Sequence, residues 1–423
     1  MTAATAPSGS PVPRGWPPGS PRVLVTDAWL PNAGDAAIAL ATQQLVGALA
    51  PGAAVLHAAH GAAEVGHHYP ELDLVPPLAR LLGTRWAPPA PGWAHEGPAL
   101  VGAADLVVSQ GGGFLREGYE PWSRLDALAR VAEARPLVLL GQTIGRFGRA
   151  FARRDLGRVL RHAARVVVRD PRSAWHAVEL GAPPGVVELG ADTALFLVDP
   201  PDDASTAPDG PRGPVGVVLS AEVVPGEEAR RGALATELLR VVAAARPGDR
   251  LEVWSSAQGT DTEVDHLAAT AAHDALDPAD RDRVALVEGH VPAGGLVERS
   301  GRAPLLVSMR FHPALLAAAR GVPAVVVTDP QKAAAFQGTP MAGRAVVSGP
   351  DAPARVAALL AGPAPQDPAG ARFRAALAER LAVTRAALAE ALAGAAAGTT
   401  PGPDDGSGPR IGPGSGPFGP LSA

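Results

Sequence analysis

The chain has no cysteine, one lysine, one asparagine, three methionines and two tyrosines in its 423 residues. Without cysteine there is no disulfide frame, no thiolate nucleophile and no zinc site built on sulfur. No run approaches the roughly 20 apolar residues of a spanning helix, and the opening residues lack the apolar core of a secretory signal. A cytoplasmic protein with no transmembrane segment is the expectation. The net charge of −5 and a pI of about 6.1 offer no general attraction to nucleic acid, so any anion site has to be local. GxGxxG, the Walker lysine motif, HExxH and the GxSxG elbow are missing as well. That removes the nicotinamide, P-loop, zinc-protease and α/β-hydrolase readings.

What is present is alanine, arginine, 49 glycines and 45 prolines, the composition of a GC-rich coding sequence. Asn32 is the sole asparagine and Lys332 the sole lysine; every other cationic side chain is arginine. A residue type kept at one place under such pressure is expected to do there what Asp, Ser or Arg cannot. Lysine differs from arginine in being a compact point charge with a shiftable pKa.

Hydrophobic residues make up 47% of the chain, enough for sizeable cores. Apolar runs alternate with helical patterns. Strands are predicted at Arg22–Thr26, Asp105–Ser109, Leu137–Gly141, Arg165–Arg169 and Val186–Leu189, with helices at Asp35–Leu49, Ser123–Ala134, Arg153–Arg161 and Ser173–Leu180. The pattern restarts after a turn-dense polar stretch, with strands at Val215–Leu219, Leu251–Ser255, Val284–Glu288, Pro304–Met309, Ala324–Val327 and Arg344–Val347. Alternation of this kind predicts an α/β protein of parallel sheets covered on both faces. The expected organisation is a disordered tail over 1–20, an N-terminal Rossmann-like domain over 21–199 and a linker over 200–214. A C-terminal Rossmann-like domain over 215–365, a long helix over 366–396 and a second disordered tail over 397–423 complete it. Two such domains face each other across a cleft.

In open parallel sheets, ligands bind outside the carboxyl ends of the strands, and the chemistry-bearing residues are read there. Pro304–Met309 runs into Arg310 and His312, with Pro313 suited to a helix start and Gly321 to its left-handed end. The first strand runs into Pro31-Asn32-Ala33-Gly34-Asp35, where Gly34 permits close backbone approach. Asn32 and Asp35 either cap the helix or meet a ligand there. Gly111, Gly112 and Gly113 clear the mouth of the cleft and are suited to an N–H nest for an anion. Gln142 lies on a further loop of the same edge, and Arg169-Asp170 and Asp192 end the next two strands. These residues would face Arg310 and His312 across the cleft. His57, His60, His67 and His68 lie close together but complete no metal geometry, and a solvated loop is expected for them.

In order, PNAGDAAI, VVSQGGGFL, GQTIG, VVVRDPRS, LGADTALFL, SMRFHPALLAAARGVPAVVV and DPQKAAAF resemble the motifs of the polysaccharide pyruvyl transferase family over roughly residues 22 to 337. The resemblance implies a GT-B-like fold and transfer of the pyruvyl group of phosphoenolpyruvate onto a sugar or glycan acceptor. The product is commonly a ketal bridging two hydroxyls, and phosphate is released; no metal or organic cofactor is implied. It associates Arg169, Arg310 and His312 with donor binding and catalysis, and aligns Asp329-Pro330-Gln331-Lys332 with the family's Asp-Pro-Lys element, Gln331 being an insertion. Arg146 stands where the family has proline.

Arginine forks suit the donor's carboxylate and phosphate, and a histidine, ordinarily titrating near about 6.5, suits a general acid. His312 is thus the expected acid and Arg310, Arg169 and Lys332 the anion clamp, with Asp35 and Asp192 positioning acceptor hydroxyls. Whether the acceptor is lipid-linked stays open, as does the oligomeric state. Two other readings compete: a nucleotide-sugar glycosyltransferase using the same cleft, and a catalytically idle glycan-binding protein.

Overall fold

The computed structural model describes residues 15–198, 213–220, 228–260, 263–334, 336, 341–362 and 368–398. Of the expected tails and linker, residues 1–14, 200–212 and 399–423 lie outside the described residues. The first half contributes β1 (Arg22–Trp29), β2 (Ala54–His60), β3 (Leu74–Val75), β4 (Leu106–Ser109), β5 (Gly112–Leu115), β6 (Leu137–Ile144), β7 (Arg165–Val168) and β8 (Val187–Leu189). They form one sheet, β3-β2-β1-β4-β6-β7-β8, with β5 paired to β6 and every pairing parallel. The second half contributes β9 (Val215–Val218), β10 (Leu251–Trp254), a short hairpin of β11 (Gln258–Thr260) and β12 (Glu263–Val264), β13 (Val284–Leu286), β14 (Leu306–Ser308), β15 (Ala324–Thr328) and β16 (Ala345–Val347). Its main sheet, β13-β10-β9-β14-β15-β16, is again parallel throughout. Winding reverses between β1 and β4 in one sheet and between β9 and β14 in the other. Those two switch points, at the carboxyl ends of the strands, are where such sheets form a ligand crevice.

The strands are apolar on both faces because helices cover both. Val23, Val25, Val108, Val138 and Val167 turn one way, against the helix Pro368–Ala396 through Ala387, Leu388, Ala391 and Leu392. Leu24, Val107, Leu139, Val166 and Val168 turn the other way, against the helices Trp122–Ala134 and Ala150–His162. The long C-terminal helix therefore packs on the first sheet. Burying a leucine such as Leu388 is worth about 1.5–3 kcal/mol. The helix is pinned by Thr384, whose Oγ1 accepts the N–H of Ala191 at 2.8 Å, and by an Arg165–Glu390 ion pair at 2.8 Å.

A further core joins the halves. The helix Ala33–Leu49 presents Ala33, Ala36, Ala37 and Leu40 to a cluster that includes Ala293, Leu296, Phe311 and Leu315 of the second half. Ala33 donates its N–H to Ser256 O at 2.7 Å, and Asn32 forms a β-bridge with Ala257. The two wound units thus meet through close-packed small side chains and main-chain bonds.

Element boundaries differ from the sequence expectation in instructive places. The helix expected from Pro313 begins at Phe311, so Pro313 is its third residue; proline is tolerated anywhere in a first turn whose N–H groups have no intrahelical acceptor. His312 is accordingly helical. β2, unread because it is mostly alanine and histidine, holds His57 wholly buried with Nε2 2.9 Å from Gln43 Oε1. Burial lowers the His57 pKa to about 3. The solvated loop expected for the histidines is therefore wrong for His57. His60 also lies on β2, its ring 4.8 Å from that of Trp29. His67 and His68 are exposed on a 3-10 turn, with the ring of His68 4.9 Å from His290 of the second half.

Candidate active site

β1 ends in a register shift between Val25 and Ala28, and within it Asp27 adopts φ +73°. A bulge re-aims a side chain, and a left-handed aspartate is held there only by its partners. Asp27 accepts the hydroxyls of Thr26 at 2.9 Å and Ser109 at 2.8 Å. It also pairs with Nε of Arg124 at 2.5 Å, whose guanidinium lies over the Phe114 ring.

Beyond the bulge, Asn32 caps the helix Ala33–Leu49, its Oδ1 accepting the N–H of Gly34 at 3.0 Å. Gly34 faces His312 directly. A Cβ at position 34 would stand 2.1 Å from His312 Nδ1 and 2.6 Å from Cγ, so only glycine lets the imidazole lie on this helix end. Asp35 is buried in the same turn.

Arg169 follows the last residue of β7. Its Nε donates to Thr143 Oγ1 at 2.7 Å, its Nη1 pairs with Asp192 Oδ2, and its guanidinium stacks over Phe311 at 4.7 Å from the ring centroid. Nε2 of His312 lies 3.4 Å from that same oxygen, Oδ2 of Asp192. It is a close approach and not a hydrogen bond, since Nε2 has no hydrogen-bond partner among the described residues. Asp192 Oδ1 accepts the N–H of Ala194 at 3.0 Å. One carboxylate, fixed by the backbone after β8, thus holds an arginine of the first half and the histidine of the second.

Arg310 ends the β14 turn and binds Asp265 bidentately, Nε to Oδ2 at 2.7 Å and Nη2 to Oδ1 at 2.9 Å. Its own N–H bonds Ser308 Oγ at 3.0 Å. Lys332, in the short helix Pro330–Ala334, donates its N–H to Asp329 Oδ1 and holds Nζ 3.8 Å from Oδ2. Arg116 reaches across from the first half to Asp329 Oδ1 at 3.2 Å, donates Nε to Gly113 O at 3.1 Å and lies over the Tyr119 ring. Nη2 of Arg116 and Nη2 of Arg169 would each stand 3.8 Å from a Cβ at Gly113. Two guanidinium groups therefore converge on that glycine.

The electrostatics follow. Burial alone would raise the Asp192 carboxyl, but His312 and Arg169 outweigh it and hold it well below the usual carboxylate range. Asp35 goes the other way. Burial raises it in spite of the pull of His312, Lys332, Arg169 and Arg310. Those four side chains are thus near enough to act on one carboxyl while each has another acidic partner at shorter range.

Of the residues singled out from sequence, the structure gathers Asn32, Gly34, Asp35, Gly113, Arg169, Asp192, Arg310, His312 and Lys332. Gly111 leads into β5 and Gly112 opens it: Gly111 lies against the carbonyls of Leu140 and Gly141, and Gly112 has φ +143°. Gln142 is a strut, donating Nε2 to the carbonyl of Gln110 at 2.5 Å and to Ser109 Oγ at 3.1 Å, which holds the glycine turn against β6. Sequence reasoning missed Arg116, Arg124, Asp27, Thr143 and Asp265. Asp27 and Arg116 flank motifs already singled out and could have been found by proximity; Asp265 sits in a helix distant from every motif and carried no signal. Among the described residues no group of three or more His, Cys, Asp or Glu could hold a metal ion.

Two parallel wound halves meeting through a shared core describe a GT-B-like fold, and structural comparison agrees. The Anabaena protein HepE solved with UDP-glucose has a TM-score of 0.52 at 14% identity, covering 88% of this chain and 99% of that one. The UDP-N-acetylglucosamine 2-epimerase of Rickettsia bellii has a TM-score of 0.54 at 10% identity, covering 88% and 96%. At such identities the likeness is one of fold. No curated protein sequence matches the chain. The family model of the polysaccharide pyruvyl transferases matches residues 32–329, and the chain belongs to that family.

Proposed function

We propose that the protein transfers the pyruvyl group of phosphoenolpyruvate onto two hydroxyls of a glycan acceptor, forming a ketal and releasing phosphate. The observation that carries the reading is the shared Asp192 oxygen, which sets a guanidinium of the first half and an imidazole of the second side by side at the carboxyl ends of the strands. In the first step an acceptor oxygen bonds to C2 of the donor while a proton is delivered to C3, converting the methylene to a methyl group. The C–O bond to phosphate then breaks, the phosphate keeping the bonding pair, and the second hydroxyl closes the ketal as its proton passes to the departing phosphate.

His312, oriented by Asp192, is the acid. Arg169 and Arg310, held in fixed orientation by Asp192 and Asp265, bind the donor's carboxylate and phosphate, with Lys332 and Arg116 adding positive charge beside Gly113. Asp35, with its raised pKa, is the group suited to accept the acceptor's proton. Asp192 itself is fully engaged, so its role is to position Arg169 and His312.

The test is incubation with phosphoenolpyruvate and a panel of sugar acceptors while inorganic phosphate is followed, with calorimetry against phosphoenolpyruvate and UDP-glucose in parallel. Acceptor-dependent phosphate release is expected, and His312→Ala should abolish it while leaving donor binding measurable. Binding and turnover of UDP-glucose with no response to phosphoenolpyruvate would move the protein to the nucleotide-sugar class instead.

A further inference from the structure

The helix Ala150–His162 (AFARRDLGRVLRH) is the most cationic element of a chain whose net charge is −5. Its one acidic residue, Asp155, is turned inward and neutralised by Arg85 at 2.6 Å and Arg154 at 3.2 Å. Arg153 and Arg161 are left facing out, Arg146 is exposed on the loop before them, and Arg149, also exposed there, pairs with Glu117 at 3.4 Å. Aromatic rings border this stripe on both sides. Trp86 is 49% exposed and stacks at 5.8 Å on Phe151, which meets Trp122 at 5.1 Å. On the neighbouring helix Pro171–Glu179, Trp175 is 55% exposed beside an exposed Val178.

A merely solvated arginine face would carry no large apolar side chains; this one has two half-exposed tryptophans, and acids beside it are paired, Glu117 with Arg149 at 3.4 Å and Glu133 with Arg158 at 2.7 Å, with Arg146, Arg153 and Arg161 exposed besides. The combination of indole edges with long-stemmed cations is that of a lipid interface, where the ring sits at headgroup depth and the guanidinium meets phosphate. It suits single-stranded nucleic acid poorly. Bases stack on open ring faces, and here Arg85 lies over Trp86 and Phe151 while Arg149 lies over Trp122.

We propose that the helical face built on Ala150–His162, flanked by Trp86 and Trp175, docks on an anionic phospholipid surface. The face adjoins the candidate active site: Gly145, one residue before Arg146, is the residue on which the stem of Arg116 packs. Docking there holds the crevice beside the bilayer, where a glycan carried on a lipid is within reach. Among the described residues no helix is long and apolar enough to cross a membrane, so attachment of this kind is peripheral. The proposal stands whatever the donor is.

The experiment is co-sedimentation of the full chain with phosphatidylcholine vesicles and with vesicles containing phosphatidylglycerol, over a range of sodium chloride. Binding to the anionic vesicles alone is expected, weakening with salt. Arg146→Glu with Arg153→Glu should lower it by about tenfold or more, since each basic residue near an anionic surface counts separately. Trp86→Ala with Trp175→Ala should lower it at fixed salt and remove the blue shift of tryptophan emission on binding. Thermal melting of each variant checks its fold, and phosphate release from phosphoenolpyruvate with a water-soluble acceptor should be unchanged in both. No affinity for anionic vesicles at low salt overturns the proposal, and so does undiminished binding by the folded charge variant. Retention on heparin as strong as on vesicles, insensitive to the tryptophan substitutions, would make the face a polyelectrolyte site instead.

Discussion

Gly34→Ala isolates the contact between the two halves. The new methyl would lie 2.1 Å from Nδ1, 2.6 Å from Cγ and 2.8 Å from Cβ of His312. Cβ and Cγ lie on the axis about which the ring turns, so that rotation relieves only the contact with Nδ1; the 2.6 and 2.8 Å contacts remain, and the residue must change χ1 rotamer or its helix must shift. Overpacking of this sort costs about 1–3 kcal/mol. Up to about 1 kcal/mol returns through the better helix propensity of alanine. Net destabilisation is therefore about 0–3 kcal/mol, which leaves a folded protein. The larger effect falls on chemistry. Displacing the imidazole breaks its 3.4 Å approach to Asp192, and a misplacement of about 1 Å is worth on the order of 100-fold in rate. Denaturant midpoints and initial rates of phosphate release measure the two terms separately. A Gly34→Ala enzyme within about twofold of the parent rate would refute the claim that His312 works from this position, because a contact of this depth leaves it nowhere else to sit.

Other perturbations follow from individual pairs. Asp265→Ala leaves the Arg310 guanidinium buried without its bidentate partner and should cost about 3–5 kcal/mol in urea unfolding; a loss under about 1 kcal/mol would mean Arg310 is solvated. Arg116→Met should raise the KM for phosphoenolpyruvate about tenfold or more with a smaller change in kcat, the loss expected for one charge-assisted contact; an unchanged KM removes Arg116 from donor recognition. For His57 the folded pKa of about 3 lies below the unfolded value. Its contribution to stability is thus complete above about pH 6.5 and declines as pH falls toward the folded pKa. A folded His57→Gln protein should show a shallower acid limb in the pH dependence of its urea midpoint.

Fold class was legible because apolar runs and helical periods alternate cleanly, and a buried parallel strand such as β7 needs nothing beyond Val166–Val168 to declare itself. β2 was not legible. His57, His60 and the three alanines of the segment give no strand signal in isolation, and only tertiary burial against Gln43 and the sheet makes a strand of them. The same limit governs the site. Arg169, Arg310 and His312 stand at strand ends and can be found from that placement alone. The carboxylates that orient them are visible only in three dimensions, since Asp265 precedes Arg310 by 45 residues on another element. Asp192 could be placed at a strand end from sequence, but its pairing with Arg169 could not, because a fully engaged carboxylate and a free one have the same sequence.

Asp35 yields the sharpest opposition of stability and function. Burial raises its pKa even though His312, Lys332, Arg169 and Arg310 all favour the charged form, because the arginines and the lysine each have a carboxylate nearer than Asp35. A carboxyl raised in the folded state makes its full contribution below the unfolded pKa of about 3.9, and that contribution is lost as pH rises through the folded pKa. Asp192, held low, has the reverse sign: its contribution is present above about 3.9 and is lost on acidification. Asp35→Asn should therefore match the parent in urea midpoint near pH 4 and exceed it at neutral pH, while phosphate release falls by about 100-fold, the usual contribution of a positioned base. A variant no more stable than the parent at neutral pH would show that the buried carboxylate is satisfied by its surroundings. It would then have no reason to take a proton from an acceptor hydroxyl, and the base would have to be sought elsewhere in the crevice.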